Sequence, residues 1–226
     1  MKRYNWRNIF AIVLFLTLVG SIIYVIVQLI HAPVEAVGGA AYEYTKVKSD
    51  YALMLVQCAL GIVVMMIPFY IEKKASIDIP DVMEILYFIF LYCAIYLGEV
   101  RDFYYVVPHW DKILHAFSGG ALGALGITLV NFFHEDKHLA IRLNPFFICF
   151  FAFCFALAAG TVWEIYEFVM DGILSLNMQK FKLADGTVLS GREALSDTMM
   201  DLIVDALSAL IVVVIAYPIL KKRSNS

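Results

Sequence analysis

Glu164, Glu167 and Asp171 close a hydrophobic run that opens near Pro145, in the stretch TVWEIYEFVMD at 161–171. At i, i+3 and i+7 on a helix they share one face within about 60°. They also crowd the last turns, where the helix dipole is already negative and a carboxylate is disfavoured. An Asp at the centre of a membrane helix costs about 2.5–3.5 kcal/mol on insertion scales. Three such acids together need something positive to hold.

Two further groups share this character. Asp111 and His115 lie one turn apart in WDKILHAFSGG, and the same helical stripe continues through Gly119, Gly123 and Gly126. Small residues at that spacing let a neighbouring helix approach closely, so the His115 face is expected to point into a bundle. Asp197, Asp201 and Asp205 repeat at i, i+4 and i+8 in SDTMMDLIVDALSAL, which places Asp205 about 12 Å deeper than Asp197. Ser196 or Asp197 fits a helix cap, but capping explains neither Asp201 nor Asp205. Glu99 and Asp102, with Arg101 between them in GEVRDFYYVVPHWD, are expected to complete the set.

The charge does not balance. Nine acids (Glu99, Asp102, Asp111, Glu164, Glu167, Asp171, Asp197, Asp201, Asp205) face three nearby bases, Arg101, Lys112 and Arg192. A bound cation, or acids held neutral, must make up the difference. Oxygen-rich ligation with one imidazole suits Mg²⁺, Mn²⁺, Ca²⁺ or Fe²⁺, and Zn²⁺ less selectively. The expected ligands are His115, Glu164, Glu167 and Asp201, with Asp111, Asp197 and Asp205 behind them or as alternates. In a catalytic site Asp111 and Glu167 are the carboxylates for proton transfer. The competing reading is an ion-paired network that only fixes helix register.

The elements that must position these groups follow from composition. The chain has 226 residues, 62% hydrophobic and 16% charged, with a mean hydropathy of +0.79. Soluble domains are nearer 45–50% apolar and about 25% charged. The expected fold is all-α, a single polytopic membrane domain over 1–226 with spans at about 8–30, 51–70, 82–99, 113–133, 145–169 and 198–219. A net charge of −3 with scattered Lys and Arg argues against a nucleic-acid partner. Cys58, Cys93, Cys149 and Cys154 lie in apolar runs without metal-finger spacing and read as packing residues. The basic start and Val34-Glu35-Ala36 resemble a cleaved leader, but the first apolar run is too long for one and reads as a retained helix.

Both termini are expected in the cytoplasm. That orientation puts Lys2, Arg3, Arg7, Lys73, Lys74, Lys137, Arg142, Lys221, Lys222 and Arg223 inside. Lys46, Lys48, Arg101, Lys112, Lys180, Lys182 and Arg192 then fall outside. It also brings Glu99, Asp111, His115, the acids at 164–171 and Asp197 to one outer leaflet. Trp110, Tyr104, Tyr105, Trp163 and Tyr166 read as an interfacial aromatic belt. The connection 172–196 carries an Asp185-Gly186 turn and could cover the site, with Arg192 meeting a lipid phosphate.

WDKILHAFSG at 110–119, TVWEIYEFVMD at 161–171 and GREALSDTMMDLIVDALSAL at 191–210 resemble the YjdF-like family of bacterial inner-membrane proteins, related to the VanZ-like group. The likeness covers about residues 82–215. It implies a multi-pass protein of the bacterial cell membrane; VanZ-like members are associated with glycopeptide-antibiotic tolerance. The family's Asp-Lys-x-x-His falls on Asp111, Lys112 and His115, its Trp-Glu segment on Trp163, Glu164 and Glu167, and its Asp-x-x-x-Asp on Asp197 and Asp201. Relatives tend to carry Gly-Ala where this chain has Ser208-Ala209.

Three functions fit these residues. The first is an outer-leaflet carboxylate–histidine site for a divalent cation that binds or transforms a lipid or cell-envelope ligand. The second is an ion-coupled transporter using Asp201 and Asp205 as a relay, with Glu84 as the candidate inner exit. The third is an envelope accessory protein whose charged ring holds the bundle together.

Overall fold

Buried residues on the fifth long helix recur at 148, 149, 152, 156, 160, 164, 167 and 171. The steps of three and four draw one continuous stripe along the helix. Its first half is apolar or small (Ile148, Cys149, Ala152, Ala156, Gly160) and its second half is acidic (Glu164, Glu167, Asp171). The last helix repeats the arrangement in reverse, with Asp201 and Asp205 followed by Ala209, Val213 and Leu220. This split between a dry end and a charged end organises the C-terminal half of the molecule.

The structure is a computed structural model that describes residues 5–34, 46–75, 79–135, 143–174, 176–183 and 187–224. Lys2, Arg3, Glu35, Ala36, Lys137, Arg142 and the Asp185-Gly186 turn lie outside the described residues. Among the described residues the regular structure is helical, with turns and irregular connections between helices and one isolated antiparallel bridge, Lys182–Val188, in place of any strand. Six helical segments are long and apolar enough to cross a membrane: Trp6–His31, Asp50–Lys74, Asp81–Val100, Trp110–Asn131, Pro145–Leu174 and Arg192–Ser224. The chain divides into two compact units, 1–110 and 111–226.

In the first unit α1 (Trp6–His31) stops two residues before Pro33, as expected because proline disfavours helical backbone in the residue ahead of it. Leu14, Leu18 and Val25 of α1 pack with Met54 and Cys58 of α2 (Lys48–Val64) and with Phe88 and Leu91 of α4 (Asp81–Leu91). The second span is broken. It turns at Met65–Met66 and resumes as α3 (Ile67–Ala75), because Pro68 has no N–H to continue the ladder and fits only a first helical turn. Beyond α4 the backbone widens into a π-helix at Tyr92–Val100, then turns at Asp102 (φ 63°) into the short α5 (Phe103–Val106). Gly98 admits this turn: a side chain there would collide with the Tyr104 ring.

The second unit consists of α6 (Trp110–Glu135, from Asp111 onward), α7 (Pro145–Leu174) and α8 (Arg192–Ser224). The glycine stripe of α6 is its packing seam. A methyl group on Gly126 would lie 2.8 Å from the Ala152 Cα of α7, and one on Gly119 would lie 2.8 Å from the Asp205 Cα of α8. Gly123 faces Ala209, and Gly119 also faces Ser208, so Ser208-Ala209 meets the seam directly. At the dry end Val130, Ile148, Cys149, Ala152, Val213 and Leu220 form the core. Helix ends run beyond the apolar runs: α7 continues past 169 to Leu174, and α8 begins at Arg192 rather than near 198. Asp171 and Asp197 therefore sit on regular helix, with their spacing from Glu167 and Asp201 fixed by the helical repeat.

Candidate functional site

At the charged end of the second unit, α6 supplies Asp111, Lys112 and His115, α7 supplies Glu164, Glu167 and Asp171, and α8 supplies Asp197, Asp201 and Asp205. His115 is at the centre and is buried. Its Nδ1 lies 3.2 Å from Asp205 Oδ2, within hydrogen-bond reach. Its Nε2 faces Glu164 Oε1 at 3.7 Å, Asp201 Oδ1 at 3.8 Å and Asp111 Oδ1 at 3.9 Å. Those three separations are too long for hydrogen bonds. Asp111, His115 and Asp201 each offer a ligand atom, all within 4.8 Å of one another, and form a group able to hold a metal ion.

Two glycines make this geometry possible. Gly119 brings the backbone of α8 at Asp205 against α6, and Gly160 of α7 leaves room for the Asp205 carboxylate, whose Oδ2 a Cβ at 160 would strike. Asp205 is therefore seated between two helices that carry no side chain at the contact, with its oxygen directed at the imidazole.

Around the rim, two ammonium groups sort the carboxylate oxygens. Lys112 Nζ donates to Asp197 Oδ1 at 2.6 Å and Asp201 Oδ2 at 2.7 Å, and lies 3.3 Å from Asp111 Oδ2. Lys180, from the α7–α8 connection, donates to Asp111 Oδ2 at 2.6 Å and lies 3.5 Å from Asp197 Oδ1. Asp111 and Asp201 thus each give Oδ2 to lysine and present Oδ1 to the imidazole. Oxygens that remain without a hydrogen bond include both of Glu164, although the Thr198 hydroxyl lies beside it, together with Asp201 Oδ1, Asp205 Oδ1 and Asp197 Oδ2. Glu164 is 4% exposed and Asp201 1%. Burying an ionised oxygen without a partner is costly. Among the described residues, five carboxylates (Asp111, Glu164, Asp197, Asp201 and Asp205) gather around two lysines and one histidine, so the ionised pocket has fewer positive than negative groups even with the imidazole protonated.

The remaining residues singled out in the sequence have other neighbours. Glu167 is buried and accepts a hydrogen bond from Trp163 Nε1 at 2.9 Å. Asp171 accepts the backbone N–H groups of Met178 and Gln179 at 2.7 and 3.0 Å, turning the connection back over the end of α7. Arg192 is exposed at the start of α8. Glu99, Arg101 and Asp102 belong to the first unit, where Glu99 accepts from Gln57 Nε2 at 2.9 Å and Asp102 pairs with Lys46. Glu84 is buried in the first unit and accepts from Arg7 at 3.0 Å. The four cysteines are free thiols.

Lys180 was not among the candidate site residues. It lies in a polar connection whose path no periodicity fixes, and the one signal for it was Asp171, an acid at a helix C-terminus that needs donors. Lys112 was legible as a base near the acids, though not as the centre of three of them.

An uncharacterised protein of Thermotoga maritima is 29% identical over 156 residues, covering 66% of this chain and 69% of that protein. No solved structure matches. The model of a family described as "Predicted membrane protein (DUF2238)" matches residues 11–222, from the first turns of α1 to the last turns of α8. The chain belongs to this DUF2238 family of membrane proteins.

Proposed function

We propose that the charged end of the second unit is a divalent metal site with His115 Nε2, Asp111 Oδ1, Glu164 Oε1 and Asp201 Oδ1 as ligands. The single observation that carries this is the two-sided environment of His115. One ring nitrogen faces a carboxylate at hydrogen-bond distance, while the other faces three carboxylate oxygens at 3.7–3.9 Å that it cannot hydrogen-bond. Metal-bound histidines commonly give their second nitrogen to a carboxylate, which fixes the tautomer and strengthens the ligand. Bonds of 2.0–2.2 Å to nitrogen and oxygen make ligand–ligand edges of about 3.0–3.5 Å, so an ion would draw the three carboxylate oxygens in toward Nε2 and tighten the Asp111–His115–Asp201 group, whose ligand atoms lie within 4.8 Å of one another. An imidazole in the set favours Mn²⁺, Fe²⁺ or Zn²⁺ over Mg²⁺ and Ca²⁺.

On this reading the site lies in the outer leaflet of the bacterial inner membrane and acts on a lipid or cell-envelope ligand. A divalent ion held by His115, Asp111, Glu164 and Asp201 would supply Lewis-acid polarisation for a hydrolysis or transfer, with Glu167 as the neighbouring base. The likeness of its motifs to YjdF-like and VanZ-like proteins supports an envelope role. The Lys112 contacts with Asp197 and Asp201, which join α6 to α8, favour a second reading in which the charged groups only hold the bundle.

Metal content separates the two. Protein stripped with chelator in mild detergent, reloaded with Mn²⁺ or Zn²⁺ and desalted, is expected to retain close to one ion per chain by elemental analysis. Retention no greater than in a His115→Ala control is the outcome required by a purely structural network.

A further inference from the structure

We infer that Lys180, carried on the α7–α8 connection, is a positioning residue for the metal ligands, so that the docked connection completes the site. The inference rests on the metal reading above. Asp111 is held by two ammonium groups. Its Oδ2 receives Lys180 Nζ at 2.6 Å and Lys112 Nζ at 3.3 Å, which leaves Oδ1 turned toward His115 Nε2. Lys112 treats Asp201 in the same way, but Lys112 is on α6 and is fixed by its helix. Lys180 arrives from outside the helices, and its presence depends on the connection being docked.

The connection is built to deliver it. Asp171 at the end of α7 takes the N–H groups of Met178 and Gln179. The Asn177 side chain bonds the Lys182 backbone in both directions, donating to its carbonyl and accepting from its N–H, each at 2.8 Å. Gln179 Nε2 reaches the Thr198 hydroxyl on α8 at 2.8 Å. Lys180 itself has φ 50°, a left-handed conformation that a side-chain-bearing residue adopts only where its surroundings impose it. The Lys180 side chain is 35% exposed, against 14% for Asp111 and Asp197 and 1% for Asp201. It is therefore the wet end of a chain of contacts running from solvent to the ligand set.

Outer groups that orient a ligand matter to affinity even though they never touch the ion. Co²⁺ alone is the probe, because its visible absorption reports ligand number and geometry. Lys180→Met is expected to weaken Co²⁺ binding by about 10- to 100-fold and to alter the visible bands, the range seen when outer-shell partners are lost. Lys180→Arg should restore most of the affinity, and Asp171→Asn, which releases the connection, should weaken binding like Lys180→Met. Thermal melting and elution volume in detergent check that each variant keeps its fold. Lys180→Met binding Co²⁺ with unchanged affinity and spectrum overturns the inference while leaving the metal reading intact. Tighter binding also overturns it, because Lys180 would then be a competing cation. Wild-type protein that binds no Co²⁺ overturns both.

Discussion

Replacing His115 by alanine is expected to abolish retention of the metal ion. The effect should exceed the loss of about 10- to 100-fold that follows removal of an outer-shell partner, because the substitution removes the proposed nitrogen ligand and the group that Asp205 faces. It also leaves the Asp205 carboxylate buried between Gly119 and Gly160 with its imidazole contact gone. The metal-free protein is therefore expected to lose stability as well, by about 3–5 kcal/mol, the scale for removing one partner of a buried charged pair. A companion substitution separates these two effects. Glu164→Gln removes a buried carboxylate charge that sits among other acids and keeps a side chain able to meet the neighbouring Thr198 hydroxyl. Metal binding should fall, while the metal-free protein should melt no lower than wild type, because a like charge has left the pocket. Titration with metal and thermal melting in the same detergent check both. A pocket whose acids only brace the helices predicts no metal dependence in either variant.

The second large effect lies at the dry end. A methyl group on Gly126 would sit 2.8 Å from the Ala152 Cα and 3.0 Å from its Cβ. Backbone cannot move aside as a side-chain tip can, so α6 and α7 must separate. Gly126→Ala is expected to cost about 1–3 kcal/mol, the usual penalty for overpacking, and Gly126→Leu should prevent recovery of folded protein. Gly120, on the same helix and six residues earlier, is the control. A Cβ there meets only Val212 Cγ2, at 3.7 Å. Gly120→Ala should therefore stabilise, by up to about 1 kcal/mol, through the helix preference of alanine over glycine. Opposite signs for the same chemical change on one helix identify the seam. Melting curves that shift alike for both variants would remove the close α6–α7 contact from the account.

Much of this fold was legible because a membrane makes hydropathy a strict signal. A polar residue inside an apolar run stands out, and the three- and four-residue steps through Glu164, Glu167 and Asp171 are the steps at which α7 buries its stripe. The glycines at 119, 123 and 126 were readable for a similar reason: three small residues on one face of an apolar helix mark a close neighbour. Other features left weaker traces. The break at Met65–Met66 was signalled only by Pro68 and lay inside one uninterrupted apolar run. The π-helix at Tyr92–Val100 has no periodic mark at all. Hydropathy reports where apolar residues stop and not where the hydrogen-bond ladder stops, so Asp171 and Asp197 extend α7 and α8 as charged turns beyond the apolar runs.

The site divides along the same line. Contacts within and between regular helices follow from spacing, which is why Asp111 with His115, and Asp201 with Asp205, could be paired on paper. The role of Gly160 could not, because it depends on where a carboxylate from another helix lands. Lys180 could not either, because its place is set by Asp171 gathering two backbone N–H groups of an irregular connection.

The most direct test of the central claim is X-ray absorption spectroscopy at the metal edge of protein reloaded with Zn²⁺ or Mn²⁺ in mild detergent. The account predicts a first shell of nitrogen and oxygen that includes one imidazole, recognisable by outer-shell scattering from its ring, and no retained metal edge in His115→Ala protein reloaded and desalted in the same way. A shell of oxygen alone, or the same imidazole signal persisting after His115→Ala, would contradict it.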